Sequence, residues 1–330
     1  MSSLSPDLFG TYEVGLKRWS IVAIVLSLTF VVPAALCVGL MLVPLRSLLT
    51  LIAALITAAC LMTILILVNW WEFTSICLRW VWAAALLAAA LLRVYVQGPE
   101  VDISVTPATI ALAVLAAFGL WLLGCVLSAR RPAGEAIELA FPLEGGKFLV
   151  TDGGDGARSF LVNYHFGFGR HRASGVNASM QYALDVVRIG SDWCESRGYF
   201  PRSNQKYHIW GSLLHAPCEG LVVHAVNDVK DNAAFGDDRP YGVGNHAVIR
   251  MDETSYVVLG HIQCGSVRVA KGDTVRTGDI IGRVGNSGWS ERPHLHMQAM
   301  RATNSDWWHG SALPIRFNGR FLVRNQVVRN

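Results

Sequence analysis

Residues Arg292 to Gln298 have the sequence RPHLHMQ, which gives the clearest indication of both fold and chemistry in this chain. Side chains two positions apart in a β-strand project from the same face of the sheet. In an extended conformation, His294 and His296 therefore lie side by side and offer two imidazoles to one site. Surface histidines are common, so two histidines at this spacing are only moderately specific, and the neighbouring sequence has to decide.

The sequence around this stretch predicts an all-β domain built on an antiparallel, barrel-like sheet. Short runs of β-branched and apolar residues alternate with turn sequences such as Lys271-Gly272-Asp273 and Gly285-Asn286-Ser287-Gly288. Many short strands at close spacing favour an antiparallel sheet or barrel. The predicted strands include Lys147 to Thr151, Phe160 to Tyr164, Gly220 to Val226, His246 to Met251, Tyr256 to Leu259, Val267 to Val269, Ile280 to Val284 and His296 to Met300.

The N-terminal half has a different composition. The whole chain of 330 residues is 52% apolar and 16% charged, but the apolar excess lies before about residue 128. A helix needs about 20 apolar residues to cross the hydrocarbon core of a membrane. Four stretches reach that length: Ser20 to Val43, Ser47 to Val68, Ile76 to Val96 and Thr106 to Ser128. They predict a bundle of four transmembrane helices, with Trp70, Trp71, Trp80 and Trp82 as an interfacial aromatic belt.

A basic segment with Pro and Gly, Ala129 to Gly134, separates the two halves. We predict a multi-domain chain, with a membrane domain over residues 1–132 and a second domain over 133–330. The lipid bilayer is then one partner, and a homo-oligomer formed through the helices is left open. The net charge of +4 is spread along the chain, so nucleic acid is not an expected partner. Cys194, Cys218 and Cys264 are either free thiols or contain one disulfide.

Charge gives an ambiguous orientation for the helices. Four crossings put both ends of the bundle on the same side of the membrane. The basic residues at those ends are Lys17, Arg18, Arg130 and Arg131. By the positive-inside rule they favour a cytoplasmic location, while Arg46 and Arg93 pull more weakly the other way.

The C-terminal half, from about Asn163 to Phe317, resembles the lysostaphin/LytM-like zinc metallopeptidases, which hydrolyse peptide cross-bridges of murein. The matching blocks, in order, are Asp185 after a hydrophobic strand, Ala216-Pro217-Cys218-Glu219-Gly220, GNHAVI (Gly244 to Ile249), His261, KGDTVRTGDIIGRVGNSG (Lys271 to Gly288) and PHLH (Pro293 to His296). The resemblance covers nearly all of the polar half and none of the apolar half.

The resemblance implies a zinc site in which Asp185 and His296 are ligands. His261 and His294 would be catalytic groups that position or deprotonate water and stabilise an oxyanion, as suits side chains whose pKa lies near neutral pH. The family pattern places a third ligand, a histidine, four residues before the aspartate, where this chain has Gln181. Some relatives carry an NYH segment upstream, which here favours His165 as the third ligand over His171.

These features predict a zinc endopeptidase in a bacterial cytoplasmic membrane, with its peptidase domain facing peptidoglycan outside. The alternative suggested by Gln181 is a catalytically impaired module that binds murein or activates another hydrolase. A second rival, a lipoyl or biotinyl carrier, shares the turn chemistry of Lys271 to Gly288, but Lys271 lies in a strand-entry turn instead of at a hairpin tip. The cleaved bond is not defined by the sequence.

Overall fold

The structure is a computed structural model that describes residues 18–42, 47–97, 102–167, 176–236, 239, 242–303 and 307–330. Four helical segments, Arg18–Leu42, Leu48–Val68, Leu78–Gln97 and Pro107–Ala129, are long and apolar enough to cross a membrane. The first consists of α1 (Arg18–Leu26), a π-helical turn (Ser27–Val31) and α2 (Val32–Leu42). The others are α3 (Leu48–Val68), α4 (Leu78–Gln97) and α5 (Pro107–Ala129). The four predicted helices are confirmed.

The helices pack through small and hydroxyl-bearing residues. Between α3 and α5, Oγ1 of Thr50 and Oγ1 of Thr109 are 2.6 Å apart. A Cβ at Gly119 of α5 would lie 3.1 Å from Cβ of Cys60, so glycine permits the close approach of the two helices. Large apolar side chains remain exposed on the outer surface, among them Leu91, Phe118 and Trp121, as lipid contact requires. No observation supports the expected oligomer, which stays a prediction.

The C-terminal half is built on an antiparallel sheet, as predicted. Its strands are β1 (Ile137–Glu138), β2 (Lys147–Asp152), β3 (Leu184–Ile189), β4 (Leu213–His215), β5 (Gly220–Val226), β6 (Asn245–Arg250), β7 (Ser255–Ile262), β8 (Thr274–Val275), β9 (Ile280–Arg283), β10 (Leu295–Arg301), β11 (Ser311–Leu313), β12 (Ile315–Phe317), β13 (Arg320–Phe321) and β14 (Val327–Arg329). The main sheet has the order β14-β2-β3-β10-β7-β6-β5-β8, and β11 pairs with β10. Two short helices, α6 (Tyr164–Gly167) and α7 (Val176–Ser179), lie between β2 and β3.

Two predicted strands are wrong. Residues 160–163 form a turn and an irregular position before α6 begins at Tyr164, because the Asn163 side chain amide donates to the carbonyls of Gly154, Gln181 and Ala183 and holds the chain in a turn. Residues 267–269 form no strand, since the amide of Val267 donates to the side chain of Asn227 instead of to a strand partner.

Strands β2 and β3 are buried on both faces. Alternate side chains of a strand point to opposite faces. On one face Phe148 and Val186 join the main core of the β-domain. On the other, Leu149 and Val187 pack with Trp71 and neighbouring residues at the end of α3. The helical half therefore covers one face of the sheet at β2 and β3. This double burial explains why each strand carries consecutive apolar residues, Phe148 to Val150 in β2 and Val186 to Val187 in β3.

Two of the four tryptophans predicted to form an interfacial belt, Trp70 and Trp71, pack against the β-domain instead. Trp71 is fully buried between the sheet and the helices, and the ring centroid of Trp70 lies 5.6 Å from that of Tyr164 in the β-domain. Trp80 is 59% exposed. The sequence pattern of an interfacial belt was misleading because the β-domain occupies part of the surface where water would otherwise be. The seven cysteines are all free thiols, including Cys194, Cys218 and Cys264.

We expect Trp71→Ala to lower the thermal midpoint of the full-length protein in detergent by roughly 5 °C or more. Deleting a fully buried tryptophan costs about 3–5 kcal/mol. Trp80→Ala is the matched control, and its midpoint should change little because that side chain is largely exposed. Equal shifts in the two variants would show that Trp71 does not join the two halves.

Candidate metal and catalytic site

Strand β10 brings the predicted site residues together because it lies between β3 and β7. His296 is directly opposite Asp185 on β3 and Gly260 on β7. Its Nδ1 is 2.9 Å from Oδ1 of Asp185. A Cβ at Gly260 would lie at an ordinary contact distance of 3.5 Å from Cδ2 of His296 but only 3.0 Å from Cβ of Val243, so glycine permits the close approach of Val243 at this position. Asp185 is the second residue of β3, not the residue after a strand as the sequence predicted.

His165 reaches the same carboxylate from α6. Its Nε2 is 3.2 Å from Oδ2 of Asp185, and its Nδ1 is 2.9 Å from Oδ1 of Asn163. The same Asn163 oxygen accepts the backbone amide of His165, which fixes the first turn of this short helix. Asn163 is itself fully buried and bonded to three carbonyls. The turn that removed the predicted strand therefore also orients the His165 imidazole.

His165, Asp185 and His296 form a group with the donor chemistry of a zinc site. One ligand atom from each lies within 4.8 Å of the others. Zinc is bound by imidazole nitrogen and carboxylate oxygen in tetrahedral geometry, with one position left for water at catalytic sites. The side chain of Gln181 is directed to a different partner, because its Nε2 donates to Oδ1 of Asp155 at 2.8 Å. His171 lies outside the described residues.

The two histidines with predicted catalytic roles are each anchored by a backbone carbonyl. Nδ1 of His261 donates to the carbonyl of Ser287 at 2.7 Å, and Nδ1 of His294 donates to that of Arg292 at 2.8 Å. The two ring centroids are 4.7 Å apart. Nε2 of His294 lies 3.3 Å from Oδ2 of Asp185. Protonation at Nδ1 leaves Nε2 of both rings as the nitrogen that can serve substrate chemistry.

His261 has a strained backbone, with φ of +56° in the left-handed region. That conformation is uncommon for residues other than glycine, and such strain clusters at functional sites. The amide of His261 donates to the carbonyl of Val243, and its carbonyl accepts the amide of Gly285. These contacts hold the imidazole at the end of β7, beside β10.

The electrostatics of the site favour a charged pair in the absence of metal. Burial lowers the pKa of His165, but the charge and hydrogen bond of Asp185, with the charge of Asp152, outweigh burial and raise it to about 9. Burial raises the pKa of Asp185, but the charges of His165 and His294 and their hydrogen bonds bring it well below its usual value. Burial and the neighbouring imidazoles of His294 and His296 hold the pKa of His261 well below its usual value.

Several supporting residues were not identified from the sequence. Gln298 is fully buried, and its Oε1 is 3.0 Å from Nε2 of His296. The alternation along β10 would have placed it on the same face as His294 and His296. Asn163 and Arg292 support the site through tertiary contacts, which no spacing in the sequence indicates. The geometry gathers all five predicted site residues, and their roles as ligands and catalytic groups stay predictions.

The family model described as peptidase family M23 matches residues 209–307. That range contains His261, His294, His296 and the whole of Lys271 to Gly288, which places this hairpin in a peptidase domain and not in a carrier domain. His165 and Asp185 lie before it.

The chain is similar to endolysin 2638A of Staphylococcus phage 2638A, with 45% identity over 112 residues. This alignment covers 33% of the chain and 21% of the endolysin, so the chain spans about a fifth of the length of this curated relative.

Among solved structures, the catalytic domain of lysostaphin from Staphylococcus simulans is 26% identical. The match covers 35% of this chain and 84% of that chain, with a TM-score of 0.23. The catalytic domain of the prophage-encoded M23 protein EnpA from Enterococcus faecalis is 25% identical, covering 32% and 75%, with a TM-score of 0.20. The C-terminal half of this chain thus carries a domain of peptidase family M23, matched over residues 209–307, next to four helices long and apolar enough to span a membrane.

Proposed function

We propose that this chain is a membrane-anchored zinc endopeptidase that hydrolyses peptide bonds of bacterial peptidoglycan. The observation that carries the proposal is the convergence of His165, Asp185 and His296 beside two anchored histidines in an M23 domain. The motif resemblance to murein endopeptidases and the endolysin relative support peptidoglycan as the substrate.

The donor set suits zinc, and His165, Asp185 and His296 would hold it. When bound, zinc supplies an activated water with a pKa of about 7 and polarises the scissile carbonyl. The His261 imidazole is kept neutral by burial, so its Nε2 can accept a proton from the attacking water. His294, with Nδ1 fixed on a carbonyl, can donate a hydrogen bond from Nε2 to the oxyanion when its ring carries both protons, and the proton that His261 accepts from the water passes to the leaving amine.

The competing function is an impaired module that binds murein or activates another hydrolase. Gln181 favours it, because the usual third histidine is missing. His165 brings a histidine nitrogen to the same carboxylate from a different segment, which supports it as the ligand in place of the missing histidine. The chain also retains Asp185, His261, His294 and His296. This favours an enzyme, because a binding module has no chemical need for these groups.

We place the peptidase domain outside the cytoplasmic membrane, where peptidoglycan lies. Two of the four basic residues that conflict with this placement make contacts between the two halves. Arg18 donates to the carbonyl of Phe200, and Arg130 donates to that of Arg324. Part of the charge bias therefore has a structural explanation that is independent of membrane orientation.

The proposed chemistry predicts different effects for ligands and catalytic groups. The full-length protein with zinc should convert cross-linked muropeptides to monomers, detected by mass spectrometry. His294→Ala and His261→Ala should each keep one zinc per chain and lose about 10²–10⁴-fold in turnover, because general acid–base catalysis contributes that much. His208→Ala, outside the site, is the control. Wild-type turnover in His294→Ala would remove its assigned role.

His165→Ala should weaken zinc binding by at least tenfold, whereas His171→Ala should leave it unchanged. Zinc requires a neutral imidazole, and the pKa of His165 without metal is about 9. In the wild type, affinity should therefore rise about tenfold per pH unit between pH 6.5 and 8.5, as one proton is released. Zinc titration against a chromophoric chelator measures both. Unchanged affinity in His165→Ala would place the third ligand elsewhere.

The exposed, free thiol of Cys264 reports the side on which the domain lies. A membrane-impermeant maleimide should label this cysteine in intact spheroplasts expressing the Cys77→Ser variant, which lacks the other exposed thiol of the described residues. Adding Cys264→Ser should abolish the labelling. Labelling that requires permeabilised membranes would put the domain in the cytoplasm and contradict the proposed substrate.

A further inference from the structure

The loop between α3 and α4 places a buried carboxylate inside the peptidase half. Glu72 is fully buried, and its Oε1 is 3.0 Å from Nη2 of Arg292. Nε of the same guanidinium is 2.9 Å from Oε2 of Glu195. The backbone carbonyl of Glu72 accepts the amide of Glu195, and the ring of Phe73 lies 4.4 Å from the guanidinium carbon. The loop therefore completes the environment of Arg292.

Arg292 is the one cation paired with two carboxylates in this cluster. Burial lowers the pKa of Arg292, but the charges of Glu195 and Glu72 outweigh it and raise the pKa above its usual value. Burial raises the pKa of Glu72 to about 7 despite the opposing charges of Arg292 and Arg324. Arg292 stays charged, and it keeps Glu195 as a partner if Glu72 is neutral. A glutamine at position 72 keeps an oxygen that can accept from Nη2 of Arg292, and it leaves the pair between Arg292 and Glu195 intact.

The backbone of Arg292 in turn orients a predicted catalytic group. Its carbonyl accepts the Nδ1 proton of His294 at 2.8 Å and the hydroxyl of Ser290 at 2.9 Å. This bond orients the ring so that Nε2 of His294 faces Asp185. Only Pro293 separates Arg292 from His294, so a shift of the arginine moves the anchor of the imidazole.

We propose that Glu72 is a positioning residue for His294, acting through Arg292, so that the peptidase site is fully ordered only when the α3–α4 loop is docked. The inference rests on the proposed function for its catalytic consequence, although its structural consequence can be measured separately. It assigns the helical half a part in the active site in addition to anchoring.

A purely structural role for Glu72, in which it only holds the two halves together, is the weaker explanation. Trp71 and its apolar neighbours already join the halves without any buried charge. Burying an ion pair is costly and is often no better for stability than apolar packing. The second partner, Glu195, belongs to the peptidase half and already neutralises Arg292. An additional carboxylate from the loop is explained best by a requirement on the position of the guanidinium.

The decisive variant is Glu72→Gln in the full-length, zinc-loaded protein in detergent, assayed on cross-linked muropeptides. We expect one zinc per chain, KM within twofold of the wild type and kcat lower by about 10–100-fold, because small misplacements of a catalytic group cost that much. Ser75→Ala is the matched control, since it removes a hydrogen bond from the same loop to the carbonyl of Asp192 without touching Arg292. Its kinetics should match the wild type.

The ¹⁵N spectrum of histidine-labelled, zinc-free protein gives a readout that does not depend on activity. The His294 signal, identified by its loss in His294→Gln, should show protonation at Nδ1 in the wild type and in Ser75→Ala. Glu72→Gln should show a weakened or averaged Nδ1 signal, because the carbonyl that accepts this proton is displaced. An unchanged His294 signal with wild-type kcat would overturn the proposal and leave Glu72 as a fastening residue.

Two further outcomes are decisive. If Glu72→Gln does not fold, Glu72→Asp keeps the charge and withdraws the carboxylate by one methylene. Reduced kcat with normal zinc content then supports positioning, and wild-type kcat overturns it. If the wild type cleaves no muropeptide, the proposed function fails, while the Nδ1 signal of His294 still decides whether Glu72 orders the imidazole.

Discussion

The antiparallel register between β10 and β3 is the constraint on which the site depends. It sets His296 directly opposite Asp185, and the 2.9 Å contact between them is the centre around which His165 and His294 gather. A slip of one residue would turn every side chain of β10 to the other face of the sheet. The register is held on the far side by pairing of β10 with β7 over six residues, beginning at Gly260.

The β-domain does not by itself bury all the apolar side chains of the sheet that fixes this register. Strands β2 and β3 present Phe148 and Val186 to the β-domain core and Leu149 and Val187 to the helical half. An M23 domain carrying these apolar side chains on an uncovered face would expose a large hydrophobic patch. The packing of Trp71 against that face removes the patch and fixes where the α3–α4 loop enters. The helical half and the β-domain thereby pack against each other through Trp71, Leu149 and Val187.

Two groups of buried charges lie next to each other at this site. One is the cluster of Asp185 and its imidazoles, whose mutual charges offset the cost of burial and whose donors suit a metal cation. The other is the Glu72, Arg292 and Glu195 group at the junction of the halves. Because a buried charge is tolerated only with a partner, each group restricts the geometry of its neighbours. The Arg292 carbonyl is the point at which the two groups meet.

The sequence alone determined the four apolar helices, the β-class of the second half and most of the residues that converge at the site, because periodicity, turn residues and motif order are local properties. His294 and His296 share a face through strand geometry alone. Only the tertiary structure decided that residues 160–163 turn instead of extending, that Trp71 is covered by the sheet, and that Glu72 lies beside Arg292. These outcomes depend on contacts between segments 100 or more residues apart in some cases, and no local pattern encodes which distant surface will bury a given side chain.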